Sequence, residues 1–102
     1  MAELYTRFDG VFFEKTRLSL VTLLYREEKL SFNSLKSRLK LSDGSLYSHL
    51  EKLIQAGYAE KTKEYAGLSL QTVYGLTGYG RAEFRAYLAF VQEILQIEEV
   101  RK

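Results

Sequence analysis

The sequence predicts a mainly α-helical domain carrying one small antiparallel β-hairpin, an α+β class. Three observations carry that reading. Apolar residues recur at helical spacing in four separate stretches. Two runs with β character, "YAEKTKEY" and "QTVYGLT", are parted only by "AGLSL", with Gly67 at the tip. Helix punctuation is clear: Ser42 precedes one periodic run, Gly57 follows it, and Thr77 precedes the last.

Each element follows in order. Residues 1–13 form an arm rich in Leu4, Tyr5, Phe8, Val11, Phe12 and Phe13, too apolar for a solvated tail, so it should pack on something. In "EKTRLSLVTLLYREEK" the residues Leu18, Val21, Leu24 and Tyr25 share a helix face, widened by Leu20 and Leu23. Leu30 to Phe32 form a short extended link. Ser31 or Asn33 can cap the next helix, "NSLKSRLK", with Leu35 and Leu39 facing inward. Leu41 and Ser42 make a turn into "DGSLYSHLEKLIQA", with Asp43 placed favourably against the helix dipole. The hairpin comes next. A long helix from about Gly78 to Glu99 would reach roughly 33 Å at about 1.5 Å per residue. It carries Phe84, Tyr87, Leu88, Val91, Ile94, Leu95 and Glu98 on one stripe. This order is a winged helix-turn-helix with an added C-terminal helix.

At 102 residues the chain fits a single domain: an arm (1–13), a winged helix (14–77) and a terminal helix (78–102). The absence of cysteine rules out disulfides and thiolate metal sites. One histidine, His49, cannot build a metal site alone, and no nucleophile–base pair can be assembled, so no catalytic residue, metal or cofactor is expected. "GYG" at Gly78 to Gly80 does not follow a strand of a βαβ unit and should permit close packing at the helix start. The first residues lack a signal-peptide pattern, and no apolar run approaches the ~18 residues of a membrane span. A soluble, cytoplasmic protein is expected, with no membrane partner.

The formal charge is +2. Basic and acidic residues balance over 1–32 and over 58–102. The excess sits in residues 33–57, where Lys36, Arg38, Lys40 and Lys52 face only Asp43 and Glu51. That places an electrostatic footprint for nucleic acid on the second and third helices.

The segments "LSDGSLYSHLEKLIQAGYAEK" and "VYGLTGYGRAEFRAYL", with the glycine of the wing between them, are similar to the small archaeal and bacterial winged-helix transcriptional regulators related to the MarR, ArsR and PadR groups. The similarity runs from about Arg17 to Leu88. The helix ending in Gly-Tyr, together with Leu76, Thr77, Gly80 and Arg81, carries it. It implies a dimeric regulator on a palindromic operator. Two features depart from the pattern. Ser45 and Ser48 stand where relatives often carry arginine or asparagine, and the wing tip, Gly67 to Gln71, has no charge.

Helical geometry assigns the faces of the third helix. At about 100° per residue, Leu46, Leu50, Leu53 and Gly57 cluster toward the core, with Ile54 beside them. The opposite side presents Ser45, Ser48, Lys52 and Gln55, with Tyr47 and His49 on the flanks. Ser42 and Gly44 allow close approach at the helix start. Small residues, hydroxyls, an amide and a cation suit a helix lying in the major groove of double-stranded DNA. Serine discriminates bases poorly, which shifts specificity to phosphates and DNA shape. Lys36, Arg38, Lys40, Lys61 and Lys63 are the candidate phosphate contacts.

The terminal stripe, Phe84, Tyr87, Leu88, Val91, Ile94 and Leu95, is expected to meet a twin helix across a two-fold axis. Phe8 and Phe12 of the arm would fold over it. The expected function is therefore that of a homodimeric, DNA-binding transcriptional regulator on a pseudo-palindromic operator. The alternative is a winged-helix protein-interaction module or a non-specific architectural DNA-binding protein. An unidentified small-molecule effector would fit between arm, first helix and terminal helix.

Overall fold

The computed structural model describes residues 6–101, with side chains as far as residue 96. Leu4 and Tyr5 of the sequence reading, and the side chain of Glu98, lie outside the described range. The elements run α1 (Lys15–Glu27), β1 (Lys29–Ser31), α2 (Phe32–Leu39), α3 (Asp43–Gln55), β2 (Ala59–Ala66), β3 (Ser69–Leu76) and α4 (Gly78–Arg101). The three strands form one antiparallel sheet in the order β1-β3-β2. The predicted winged helix-turn-helix is the observed fold.

Local chemistry sets the boundaries. Glu14 caps α1 by accepting from the Arg17 N–H at 2.8 Å, and that bond holds its carboxyl below the usual carboxylate range. Ser31 and Ser42 cap α2 and α3 in the same way, through Ser34 and Ser45 N–H groups. The link at Leu30 is a true strand, pairing Lys29 to Ser31 with Gly75 to Val73. The hairpin is tighter than the sequence suggested. Ala66 pairs with Ser69, leaving Gly67 and Leu68 as a two-residue turn. Gly67 alone of that pair has positive φ, 65°, the pattern of a II′ turn, whose first central position favours glycine.

Seven side chains are fully buried at the centre: Leu20, Val21 and Leu24 of α1, Leu35 of α2, and Leu46, Leu50 and Leu53 of α3. Their burial welds α3 to α1 along the face that periodicity assigned. A second, aromatic layer joins the arm to α4. Phe12 stacks on Tyr58 at 4.5 Å and meets Phe84 and Tyr87 at 5.4 Å each. Phe8 sits edge-on to Phe90 at 4.9 Å, and Arg7 pairs with Glu93 at 3.0 Å. The arm does fold over α4. These rings pack into the region between arm, α1 and α4 in which the sequence reading placed an effector.

Tyr58, Tyr74 and Tyr87 are buried, and burial pushes all three phenols above their ordinary value. Tyr58 also donates to Asp9 Oδ2 at 2.6 Å. The folded state thus favours the neutral phenol more strongly than the unfolded chain does. Stability should be intact below pH of about 10, the ordinary phenol pKa, and should fall as pH rises beyond it. Thermal melts between pH 8 and 11 test this. A melting temperature that stays flat across the range would contradict the burial account.

Candidate nucleic-acid interface

α3 is held by its apolar side and leaves its polar side outward. Ser42, Gly44, Ser48, Lys52 and Gln55 are exposed, and Ser45 is half-buried. Among the described residues no carboxylate lies within ion-pair reach of Lys52. The stripe expected from the sequence therefore presents one free cation amid small or uncharged polar groups. Asp43 in the first turn is exposed beside it.

His49 lies elsewhere. It is half-buried on the α1 side, where its Nδ1 sits 3.1 Å from Arg17 Nη1. Arginine only donates, so Nδ1 is the acceptor in this contact. His49 thus bridges α1 and α3 through Nδ1. Tyr47 goes the other way. It stands 52% exposed on the wing side of α3.

The candidate phosphate contacts divide into two groups. Lys36 pairs with Asp43 at 2.7 Å, Arg38 with Glu27, and Lys61 with Glu51 at 3.2 Å. Each of these cations must give up a carboxylate to take a phosphate, and exposed pairs of this kind are weak. Lys40, at the left-handed end of α2, has no such partner among the described residues, and Lys63 donates only to Thr72 Oγ1 at 2.9 Å. Lys61 and Lys63 do share one face of β2, as their alternation predicted, on the side toward α3. The free positive charge of this surface comes from Lys40, Lys52 and Lys63.

The residues expected at a dimer interface also divide. Phe12, Phe84 and Tyr87 are 1%, 2% and 6% exposed within the single chain, so they have no surface left for a twin, and that assignment is corrected. The stripe found its partner in the arm. Phe8 is half-buried on Phe90. Leu88 and Leu95 remain open, with Val91 and Ile94 half-covered beside them.

Arg17 is the residue that sequence reasoning missed. It is buried, with Nε donating to Val11 O at 2.8 Å and Nη2 to Gly10 O at 3.3 Å, besides the contact with His49. One guanidinium therefore fastens the arm to the helix that carries the candidate interface. No periodicity flags it, because a charged residue on an apolar stripe looks like the stripe's edge. Among the described residues no group of three or more His, Cys, Asp or Glu could hold a metal ion.

Residues 16–95 match the model of a family described as a winged helix DNA-binding domain. An uncharacterized protein of Methanocaldococcus jannaschii is 36% identical over 89 residues, covering 87% of this chain and 94% of that one. Among solved structures, a transcriptional regulator homologue from Pyrococcus horikoshii OT3 is similar with a TM-score of 0.84 and 25% identity, over 94% of this chain and 96% of its own. PadR of Bacillus subtilis, solved in complex with operator DNA, has the same fold with a TM-score of 0.62 and 21% identity, over 74% of this chain and 47% of its own.

Proposed function

Because the chain belongs to the family of winged helix DNA-binding domains, we propose that it regulates transcription as a homodimer on a pseudo-palindromic stretch of double-stranded DNA. Family and fold are those of DNA-binding regulators and not of enzymes. The observation that carries the finer reading is the outward side of α3, where Gly44, Ser48 and Gln55 stand exposed around Lys52, a cation with no carboxylate partner among the described residues. Small residues at the start of α3 permit close approach to base edges, and Lys52 reaches a phosphate or a guanine. Two such helices would enter successive major grooves about 34 Å apart. Few groups here discriminate bases strongly, so DNA shape and deformability carry much of the specificity.

The second copy would meet α4. The chain, α4 included, has principal extents of 56 × 24 × 22 Å, and α4 exposes Leu88 and Leu95 one heptad apart. The arm and α4 then form the dimerising part, and residues 14–77 the reading part. Sedimentation at micromolar concentration should give the mass of a dimer. A stable monomer would sink this half of the proposal.

The DNA half is tested by anisotropy titration of two labelled duplexes, one random and one from upstream of the protein's own gene. Tighter binding to the upstream duplex, with log affinity falling steeply against log salt, is the expected result. Equal binding to both would make the protein architectural. A second reading rests on the wing tip, where Tyr65, Leu68 and Leu70 are exposed and uncharged. They favour a protein partner there, and a stable protein complex through the wing without DNA affinity would support it. No helix among the described residues is long and apolar enough to cross a membrane. The reading places the protein in the cytoplasm.

A further inference from the structure

A groove of about 810 Å³ runs between the wing, the start of α2 and the flank of α3. It exists because the hairpin outruns the core: β2 is buried only at Ala59 and exposed from Glu60 onward. We propose that this groove binds a single nucleotide unit, with its base stacked on Tyr47 and its phosphate held by Lys63 and Lys61.

The lining supplies each part of that ligand. Tyr47 presents its ring at 52% exposure on one wall, although a tyrosine on a packed helix is usually drawn inward. Phe32, half-buried against Tyr74, offers a second aromatic group. Asn33 and Gln71 bring amides, which both donate and accept and so suit the edge of a base. Lys61 Nζ lies over the Tyr47 ring, 5.8 Å from its centre, a cation on the stacking face that must swing aside toward the phosphate as a base stacks. Lys63 follows on the same strand face, bound to the Thr72 hydroxyl and to no carboxylate among the described residues. Aromatic faces next to cations are the chemistry by which proteins hold unpaired nucleotides. A base inside a duplex offers no free face, so duplex DNA could use only the lysines here.

One group opposes the ligand. Glu51 lines up on Lys61 at 3.2 Å, and its carboxylate repels a phosphate at that point. Lys63 therefore carries most of the phosphate attraction, and Glu51 sets a limit on affinity. The nucleotide unit can come from a free nucleotide or from an unpaired strand. The proposal stands apart from the duplex reading, because its assay contains no duplex.

The experiment measures anisotropy of a labelled ten-residue thymidine oligonucleotide, and calorimetry with thymidine monophosphate, against the full chain. Inorganic phosphate and an abasic oligonucleotide serve as controls. Tyr47→Leu should weaken binding about tenfold, the lower range of one base–aromatic stack. Lys63→Ala should weaken it several-fold, and Glu51→Gln should strengthen it. Because Tyr47 and Lys63 are exposed, circular dichroism should show both variants folded. Saturable binding of the monophosphate identifies free nucleotide as the source. Binding of the oligonucleotide alone identifies an unpaired strand. The proposal is overturned if neither binds, if Tyr47→Leu binds as well as the parent, or if the abasic strand or phosphate does as well as the base-bearing probe. Duplex binding is titrated separately; Lys63→Ala is expected to weaken it as well, because Lys63 is also a candidate duplex contact, so the proposal is judged on the single-stranded and mononucleotide probes alone.

Discussion

Replacing Gly80 with alanine should destabilise the fold by about 3–5 kcal/mol, at the severe end of what one added methyl group does. An alanine Cβ there would stand 2.0 Å from the carbonyl oxygen of Tyr58 and 2.7 Å from its carbonyl carbon and Cα. Those are backbone atoms, with no rotamer to move aside. The segment is also clamped from other directions. Thr77 N–H donates to that same Tyr58 oxygen at 3.0 Å, and Thr77 Oγ1 donates to Gly57 O at 2.7 Å. The Gly80 N–H in turn donates to Thr77 Oγ1 at 2.8 Å, capping α4. Relief of the clash would therefore have to break the cap or lift α4 from the end of α3. Urea unfolding should show a lowered midpoint. Gly78→Ala is the matched control, since a Cβ there meets nothing within 4 Å and should change stability by less than about 0.5 kcal/mol. Equal effects at the two glycines would refute the close-approach explanation.

The double substitution Ser48→Glu, Lys52→Glu should abolish duplex binding, by at least about 100-fold, while leaving the melting temperature nearly unchanged. Both side chains are exposed, and Lys52 has no carboxylate partner among the described residues, so the fold loses little. The interface loses much. The chain exchanges a cation for an anion and gains a second anion, at the point proposed to lie in the groove beside the phosphates. A comparison with Lys36→Ala sharpens the test. Lys36 is already paired with Asp43, so its removal should change the salt slope less than removal of Lys52 does. Full retention of binding by the double variant would mean that α3 is not the reading element.

Much of this architecture could be read from local pattern. The helices, the hairpin and the caps at Ser31, Ser42 and Thr77 depend on spacing and on residues a few positions apart, so they show in the sequence. The tight packing expected of "GYG" also appears, as the contact of Gly80 with Tyr58. The Leu-Thr-x-x-Gly-Arg pattern turns out to be structural throughout. Thr77 caps, Gly80 admits a backbone, and Arg81 donates to Tyr25 O at 3.2 Å while its guanidinium lies over the Tyr25 ring.

What local pattern could not decide were competitions between distant partners. An apolar stripe on α4 needs cover, but periodicity does not say whether the cover is a twin or the chain's own arm. Phe12 covers the first part of it, filling the space among Tyr58, Phe84 and Tyr87, while Leu88 and Leu95 stay open. Arg17 was hidden for the same reason: its acceptors, Gly10, Val11 and His49, come together only in three dimensions. Ion pairing dimmed the expected footprint too, since Glu27, Glu51 and Asp43 each occupy a cation proposed for phosphate.

The strand order β1-β3-β2 bears on how the chain is born. Lys29 to Ser31 emerges early in synthesis, yet its ladder partners, Val73 to Gly75, follow only after α2, α3 and β2. Until then those backbone groups have no strand to satisfy them, and the loop that must close spans nearly half the chain. Val73 and Tyr74, buried in the finished sheet, arrive in the same late segment. The three early helices therefore wait on the ribosome with an uncovered apolar side. The sheet is completed only by this one late, non-local pairing.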